Sequence, residues 1–314
     1  MRGLEPGFAQ IEAHALAARD LGVVLAGLPE LADLTVTETL RLAPGRAVFL
    51  AERAGLPVII KHLTGPQRAA QAQAVADEIL HATDRLSGTP HRVAGLIAVA
   101  PAQGIICTHY APGQRLDRLL VDLPRDEQLA LLARAAEWLA AFTALRRKQG
   151  PFGAWYWVKQ AAAVDLQELD PEGQALARAI RARLRAMAPA LAGRPVLRVA
   201  THGDFVDSNL HWHDGTLWAF DLGGTQWLPL AHTVAHFLLW RAMADPLPDT
   251  HHFGLPADLV AGFLGGGILP ADQLPILRFL LGLAMLRRLP QTGRRPDRAA
   301  RLRAAIQGWL AEGA

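Results

Sequence analysis

The dipeptide Asp214-Gly215 narrows the folding choices of this chain more than any other pair of residues in it. It is flanked by two short apolar-rich runs, Leu210 to His213 and Thr216 to Phe220. Asp-Gly between such runs marks a two-residue β-hairpin, because the tight turn needs positive φ at both central positions. Asn209 stands just before the first run and Asp221 just after the second. Closing the hairpin therefore carries Asp221 back beside Asn209. Five residues upstream of Asn209 lies Asp204, behind His202-Gly203, and a strand-like Val196 to Ala200 leads into it.

Three oxygen-bearing side chains gathered this way suit one kind of chemistry. Phosphoryl transfer to an alcohol needs a carboxylate to take the hydroxyl proton and two oxygen donors to hold magnesium against the phosphates. An Asp-to-Asn spacing of five followed by Asp-x-Gly after a hairpin is the kinase catalytic pattern. The wording His202-Gly203-Asp204, then Asn209, resembles the aminoglycoside phosphotransferase and choline kinase superfamily. That resemblance implies an α+β, two-lobed protein-kinase-like fold. It has an N-terminal five-stranded antiparallel sheet with a helix (residues 1–112) and a mainly helical C-terminal lobe (113–314) carrying the catalytic loop and substrate site. It further implies ATP and Mg2+ as cofactors, a small-molecule alcohol as substrate, Asp204 as catalytic base, and Asn209 and Asp221 as metal ligands.

The N-terminal half supports five strands. Leu34 to Leu42 alternates apolar and polar residues, the period of a half-buried strand. Arg46 to Arg53, Pro57 to Leu63, Val93 to Ala100 and Gly104 to Tyr110 follow, punctuated by Gly and Pro. The turn at Pro44-Gly45 can hang a loop over a nucleotide, with backbone N–H groups around Gly45 and Arg46 aimed at its phosphates. Lys61 closes the β-branched run Val58-Ile59-Ile60, where an ammonium is costly without a partner. It either grips the α- and β-phosphates or reaches water from a strand end, and the catalytic stretch downstream favours the first. Thr64-Gly65-Pro66-Gln67 is a capping-box pattern that opens a helix to about Leu86. On that helix Glu78 faces inward with Ala74, Val75 and Ala82, the position from which the family's glutamate orients the strand lysine. By the same resemblance Thr108 is the gatekeeper, the backbone of His109 and Ala111 pairs with adenine, Ala111-Pro112-Gly113 is the hinge, and Val48 and Ile59 wall the base; ordinary sheet core explains the last two equally well.

Beyond the hinge the pattern turns helical. One helix starts at Pro124 and ends with Arg146, Arg147 and Lys148 before Gly150; another runs from Asp170 through Met187. Helix-like segments also cover Pro229 to Ala244, Ala257 to Phe263, Leu274 to Leu289 and Asp297 to Leu310. The family sets an aspartate about ten residues past Asp-x-Gly, and this chain has His232 there. Asp207 and Ser208, inside the loop, either touch substrate or solvate it.

Composition sets limits on partners. Hydrophobic residues make up 51% of 314 positions, ample for a core. The basic residues are interspersed with acidic ones along the chain, which argues against nucleic acid. No apolar run reaches a spanning length and the first residues lack a continuous signal core, so a cytoplasmic location with no membrane partner is expected. Cys107, the single cysteine, reads as a small buried filler. From Leu222 to Ala314 six acidic residues face nine arginines, seven of them between Arg287 and Arg303. A polycationic aminoglycoside would want carboxylates, so the balance points to a neutral or anionic alcohol, while solvated helix faces explain the arginines as well. Trp155, Tyr156, Trp157, Trp212, Trp218 and Trp227 offer stacking surfaces or core. Two other functions compete. An inactive nucleotide-binding pseudokinase would keep the fold, although such proteins commonly lose one of Lys61, Asp204, Asn209 and Asp221, all present here. A zinc hydrolase would use His202, His211, His213, His232 and His236 with Asp204 or Asp221, although no HExxH motif occurs.

Overall fold

The computed structural model describes residues 8–144, 146–244, 251–292 and 296–312. Arg294 and Arg295 of the arginine-rich run lie outside them. The chain is mixed α+β and divides into two compact units. One gathers the chain up to Gly113 together with His211–Thr225; the other gathers Gln114–Leu210 with Gln226 onward.

The first unit opens with helix α1 (Phe8–Ala26), then strands β1 (Thr35–Ala43), β2 (Arg46–Arg53) and β3 (Leu56–Leu63), helix α2 (Arg68–Arg85), and strands β4 (His91–Val93), β5 (Leu96–Ala100) and β6 (Ile105–His109). Five of these strands form one sheet in the order β1-β2-β3-β6-β5, antiparallel at every junction. Side chains alternate between its faces. Phe49, Val58, Ile60 and Cys107 point to one face, where Leu21 and Leu25 of α1 complete a buried core. Burial also pushes the Cys107 thiol up to about 11, well above the range in which it would be a nucleophile.

Two expectations needed correcting in this unit. Thr64 is not the cap of α2: the helix starts at Arg68 behind Gln67, which makes no side-chain cap bond, and the Thr64 N–H donates to the Gly45 carbonyl at 2.9 Å. The run expected as one strand from Val93 is broken at Ala94-Gly95. Its first part, β4, leaves the main sheet and pairs in parallel with the second hairpin strand, Leu217 opposite His91 and Ala219 opposite Val93. The hairpin itself has strands Leu210–His213 and Thr216–Ala219, with Asp214 at φ 45° and Gly215 at φ 76°.

The second unit is mainly helical: α3 (Leu116–Asp122), α4 (Arg125–Thr143), α5 (Ala154–Ala162), α6 (Pro171–Leu191), α7 (Leu230–Ala242), α8 (Ala257–Leu264), α9 (Leu274–Arg288) and α10 (Pro296–Ala311). Helix α6 is capped by Asp170, which accepts from the Gly173 N–H at 2.8 Å. A small antiparallel sheet sits among these helices, with Pro195–Thr201 between Arg147–Pro151 and Gln226–Pro229. Arg147 and Lys148 are thus strand residues and do not finish α4, because Arg147 pairs opposite Val199. No helix among the described residues is long and apolar enough to cross a membrane.

Candidate active site

Each unit carries its own set of the residues singled out in the sequence. In the first, alternation along β3 puts Ile59 and Lys61 on the sheet face opposite the α1 core. Val48 lies across from Lys61 on β2, and Thr108 lies across from Ile59 on β6. Directly opposed residues share a face, so Val48, Ile59, Lys61 and Thr108 line one surface. The Lys61 ammonium forms an ion pair with Asp221 and donates to the Leu222 carbonyl at 3.5 Å. Glu78 is 1% exposed on α2, and its carboxylate accepts from the Thr225 hydroxyl at 2.7 Å. The hairpin's exit segment is thereby tied to both β3 and α2. Asp221 takes φ 61°, a left-handed conformation uncommon for a residue with a side chain.

The expected hinge is fixed by the hairpin as well. His211 is buried, and its Nδ1 lies 2.7 Å from the Ala111 carbonyl and 3.2 Å from that of Pro112. Carbonyls only accept, so Nδ1 carries the proton. The ring edges against Phe220 and Tyr110. Gly113 has φ 81°, and a Cβ there would stand 2.2 Å from the Trp212 carbonyl oxygen, so only glycine fits. His109 donates its N–H to the Gly95 carbonyl at 2.9 Å, and Gly45 turns the β1–β2 loop at φ 79° with Arg46 opening β2.

In the second unit the loop after Pro195–Thr201 is held by an aromatic column. Trp138 stacks on Phe142 and on Phe205, which stacks on Phe237. His202 is fully buried beside Trp138, Phe142 and Phe205. That packing fixes the backbone on which Asp204 sits. The Asp204 carboxylate meets His236 Nε2 of α7 at 3.4 Å, and Asn209 Nδ2 donates to its Oδ2 at 3.2 Å and to its backbone carbonyl at 2.9 Å. The His236 hydrogen bond, followed by the opposing cost of burial and then the fields of His236 and His202, holds the carboxyl below its ordinary value. Asp204 is therefore ionised at neutral pH. The Asn209 amide nitrogen is committed to Asp204, which leaves its carbonyl oxygen as the group able to face a cation.

One member of this site, Arg241, is absent from the sequence reading, and Asp207 takes a role other than the two expected of it. Arg241 of α7 is 1% exposed and meets Asp207, also 1% exposed, at 3.4 Å. Asp207 is consequently neither solvated nor free to touch substrate, and burial pushes its carboxyl up against the pull of Arg241. Helix α7 thus braces the loop through Arg241 and His236. The histidine at the position where an aspartate was expected, His232, instead lies flat on Trp157 at 5.3 Å, lowered to about 4 by burial first and then by Arg287 and His236. A lone arginine inside the apolar run Leu238 to Met243 was the available signal.

The oxygen donors present fit a hard divalent cation such as magnesium, which takes one or two protein oxygens and fills its shell with phosphates and water. Among the described residues a hydrolytic zinc centre is not assembled. Among the described residues no group of three or more His, Cys, Asp or Glu could hold a metal, His211 is committed to the Ala111 carbonyl, and His232 is packed on Trp157.

Comparison with known proteins gives a family match, to the phosphotransferase enzyme family APH, over residues 45–257. A search of curated proteins found no match. Solved structures match over nearly the whole chain. A choline/ethanolamine kinase family protein from Mesorhizobium loti has a TM-score of 0.57 at 18% identity, covering 93% of this chain and 94% of that one. A thermostable mutant of aminoglycoside phosphotransferase APH(4)-Ia, in ternary complex with ADP and hygromycin B, has a TM-score of 0.61 at 16% identity, covering 95% and 98%. The amicoumacin kinase hAmiN, in complex with AMP-PNP, Ca2+ and Ami, has a TM-score of 0.58 at 14% identity, covering 98% and 97%. At these identities the likeness establishes the fold, which is protein-kinase-like.

Proposed function

Since the chain belongs to the APH phosphotransferase enzyme family, we propose that it is an ATP-dependent kinase that moves the γ-phosphoryl group to a hydroxyl of a small molecule. The observation that carries this reading is the ion pair of Lys61 with Asp221. Two residues far apart in sequence, one read as a phosphate grip and the other as a metal ligand, meet within one unit. Nucleotide-bound kinases among the structural neighbours, with ADP or with AMP-PNP and Ca2+, support a nucleotide and a divalent cation.

Lys61 is the phosphate-binding cation, and the face it shares with Val48, Ile59 and Thr108 is the nucleotide surface. The backbone of His109 and Ala111 receives the adenine, with the Ala111 carbonyl already taken by His211. The loop at Gly45 and Arg46 covers the phosphates. Glu78, buried on α2, holds the exit of the hairpin through Thr225 and acts by positioning. Asn209 and Asp221 are the residues that would supply oxygens to a magnesium ion, whose charge would offset that of the phosphates. Asp204, held ionised by His236, accepts the proton of the substrate hydroxyl as its oxygen bonds to the γ-phosphorus and the bond to the β-phosphate oxygen breaks, releasing ADP. Positioning and fixed charge would supply most of the acceleration.

The test is magnesium-dependent ADP release across a panel of metabolite alcohols, with Asp204→Ala beside the native protein. A loss of at least a hundredfold in kcat is expected for the variant. Nucleotide binding with no turnover on any alcohol would make the protein a pseudokinase, and unchanged turnover in the variant would remove Asp204 from the mechanism.

A further inference from the structure

Within the second unit a cavity of about 260 Å³ opens between α7, α9 and the start of α10. Leu239, Trp240 and Met243 of α7 and Leu280, Leu283 and Ala284 of α9 form an apolar wall around it. His236, whose Nε2 meets the Asp204 carboxylate at 3.4 Å, lines the same cavity, so the space reaches to within one side chain of the group read as the base. We propose that this cavity is the acceptor subsite and that the acceptor is an uncharged alcohol with an apolar body, a ring with a short hydrocarbon arm, packed between α7 and α9 with its hydroxyl turned toward Asp204.

The chemistry of the wall selects such a body. Hydrocarbon on the protein contributes affinity by taking hydrocarbon of the ligand out of water. A sugar ring laid against Leu239, Leu280 and Leu283, all buried, would have to give up water around its hydroxyls and gain no hydrogen bond from them. Met243 adds an unbranched thioether, which adapts to a ligand and favours contact with an aromatic ring. The two histidines on the lining keep that balance. His232 lies flat on Trp157 at 5.3 Å and, lowered to about 4 by burial, is an uncharged ring at neutral pH. His236 turns Nε2 to Asp204 and leans on Trp240 at 6.4 Å. Of the arginines that border the cavity, Arg287 lies over the Trp157 ring, and Arg288 and Arg298 lie over that of Trp240. An acceptor held by its body needs no charge of its own to meet them. Size sets the length of the arm. An apolar cavity of about 150 Å³ holds benzene, so by proportion this one has room for about ten carbon atoms, a phenyl ring and an arm of about four.

This rests on the kinase reading, and the test keeps the two apart. Binding of phenyl-substituted primary alcohols, from benzyl alcohol to phenylpentanol, would be measured by calorimetric titration of the full chain, and ADP release from ATP and magnesium would be followed with the same alcohols. Each added methylene should tighten binding about fourfold, and the gain should stop at about ten carbons. Glucose, and the para-carboxylate of benzyl alcohol, should each bind at least about tenfold more weakly than benzyl alcohol itself. Ala284→Leu adds about three carbons to the wall and should flatten the series beyond benzyl alcohol, with its thermal melt reporting whether the fold is kept; if the variant melts early, the series on the native protein decides alone. A flat series in the native protein, glucose or the carboxylate binding as tightly as benzyl alcohol, or a native-like Ala284→Leu that still gains with each methylene would overturn the proposal, whatever the nucleotide result. If the series rises as expected and none of these alcohols releases ADP, the cavity keeps its ligand class and the kinase reading falls.

Discussion

Arg241→Met removes the cation that meets a carboxylate almost wholly out of water. Asp207 is 1% exposed, as is Arg241. In the native protein burial already raises the Asp207 carboxyl, and Arg241 is the first influence pulling it back. Without Arg241 the carboxylate either stays charged and uncompensated or takes up a proton. Breaking a buried pair from one side costs about 3–5 kcal/mol, and for a unit of this size that is a fall of roughly 10 °C in Tm. The sign of the pH dependence follows from linkage. A carboxyl raised in the folded state destabilises as pH climbs above its unfolded value, and the variant raises it further. The deficit relative to the native protein should therefore be smallest in acid, widen from just above the ordinary carboxylate range, and level off once Asp207 of the variant ionises. Thermal melts followed by circular dichroism from about pH 4, near the ordinary carboxylate values, to about pH 8, well above them, measure it. The double variant Arg241→Met with Asp207→Asn should recover most of the loss, because neither charge is left behind. A single variant within about 1 kcal/mol of native, a deficit that is constant with pH, or a double variant no better than the single would refute the account.

Removing the other brace should change rate and leave the fold. His236→Ala deletes the largest influence lowering the Asp204 carboxyl, so that group rises toward its ordinary value and the acid limb of kcat/KM moves to higher pH. An acid limb that stays in place would show that Asp204 is not the titrating base. Gly113→Ala puts a Cβ into a left-handed position and against the Trp212 carbonyl, and should cost at least about 2 kcal/mol in a denaturant titration; a cost below half of that would mean the segment shifts freely.

How far the sequence could be read depended on how local each signal was. The 210–219 hairpin was legible because Asp214 and Gly215 demand an unusual backbone, and they have it. The strands of the main sheet were legible because one face is buried under α1, which forces alternation. Lys61 stood out as a charge at the end of an apolar run. The same logic applied to Arg241 would have exposed the Asp207 pair, but inside a helix that is apolar on nearly every side a single arginine gives no hint of which loop it will meet. Non-local pairing hid the rest. Nothing near His91 announces a parallel bond to Leu217, and Arg147 to Pro151 become a strand only because Pro195–Thr201 lies alongside. Lysine and arginine near a glycine read locally as a helix end. His232 was recognised as a departure, yet its place on Trp157 could not be inferred without the tertiary fold.

The segment His211–Thr225 folds with residues that precede Gly113, although the chain on both sides of it belongs elsewhere. The polypeptide therefore passes from one body to the other three times. No single cut can yield two self-sufficient fragments: severed after Gly113, the leading piece would lack the strand that β4 adds to and the aspartate that neutralises Lys61. Both pieces would have to be present together before either could be complete, which makes co-expression of halves, and not isolated domains, the form in which this protein can be taken apart.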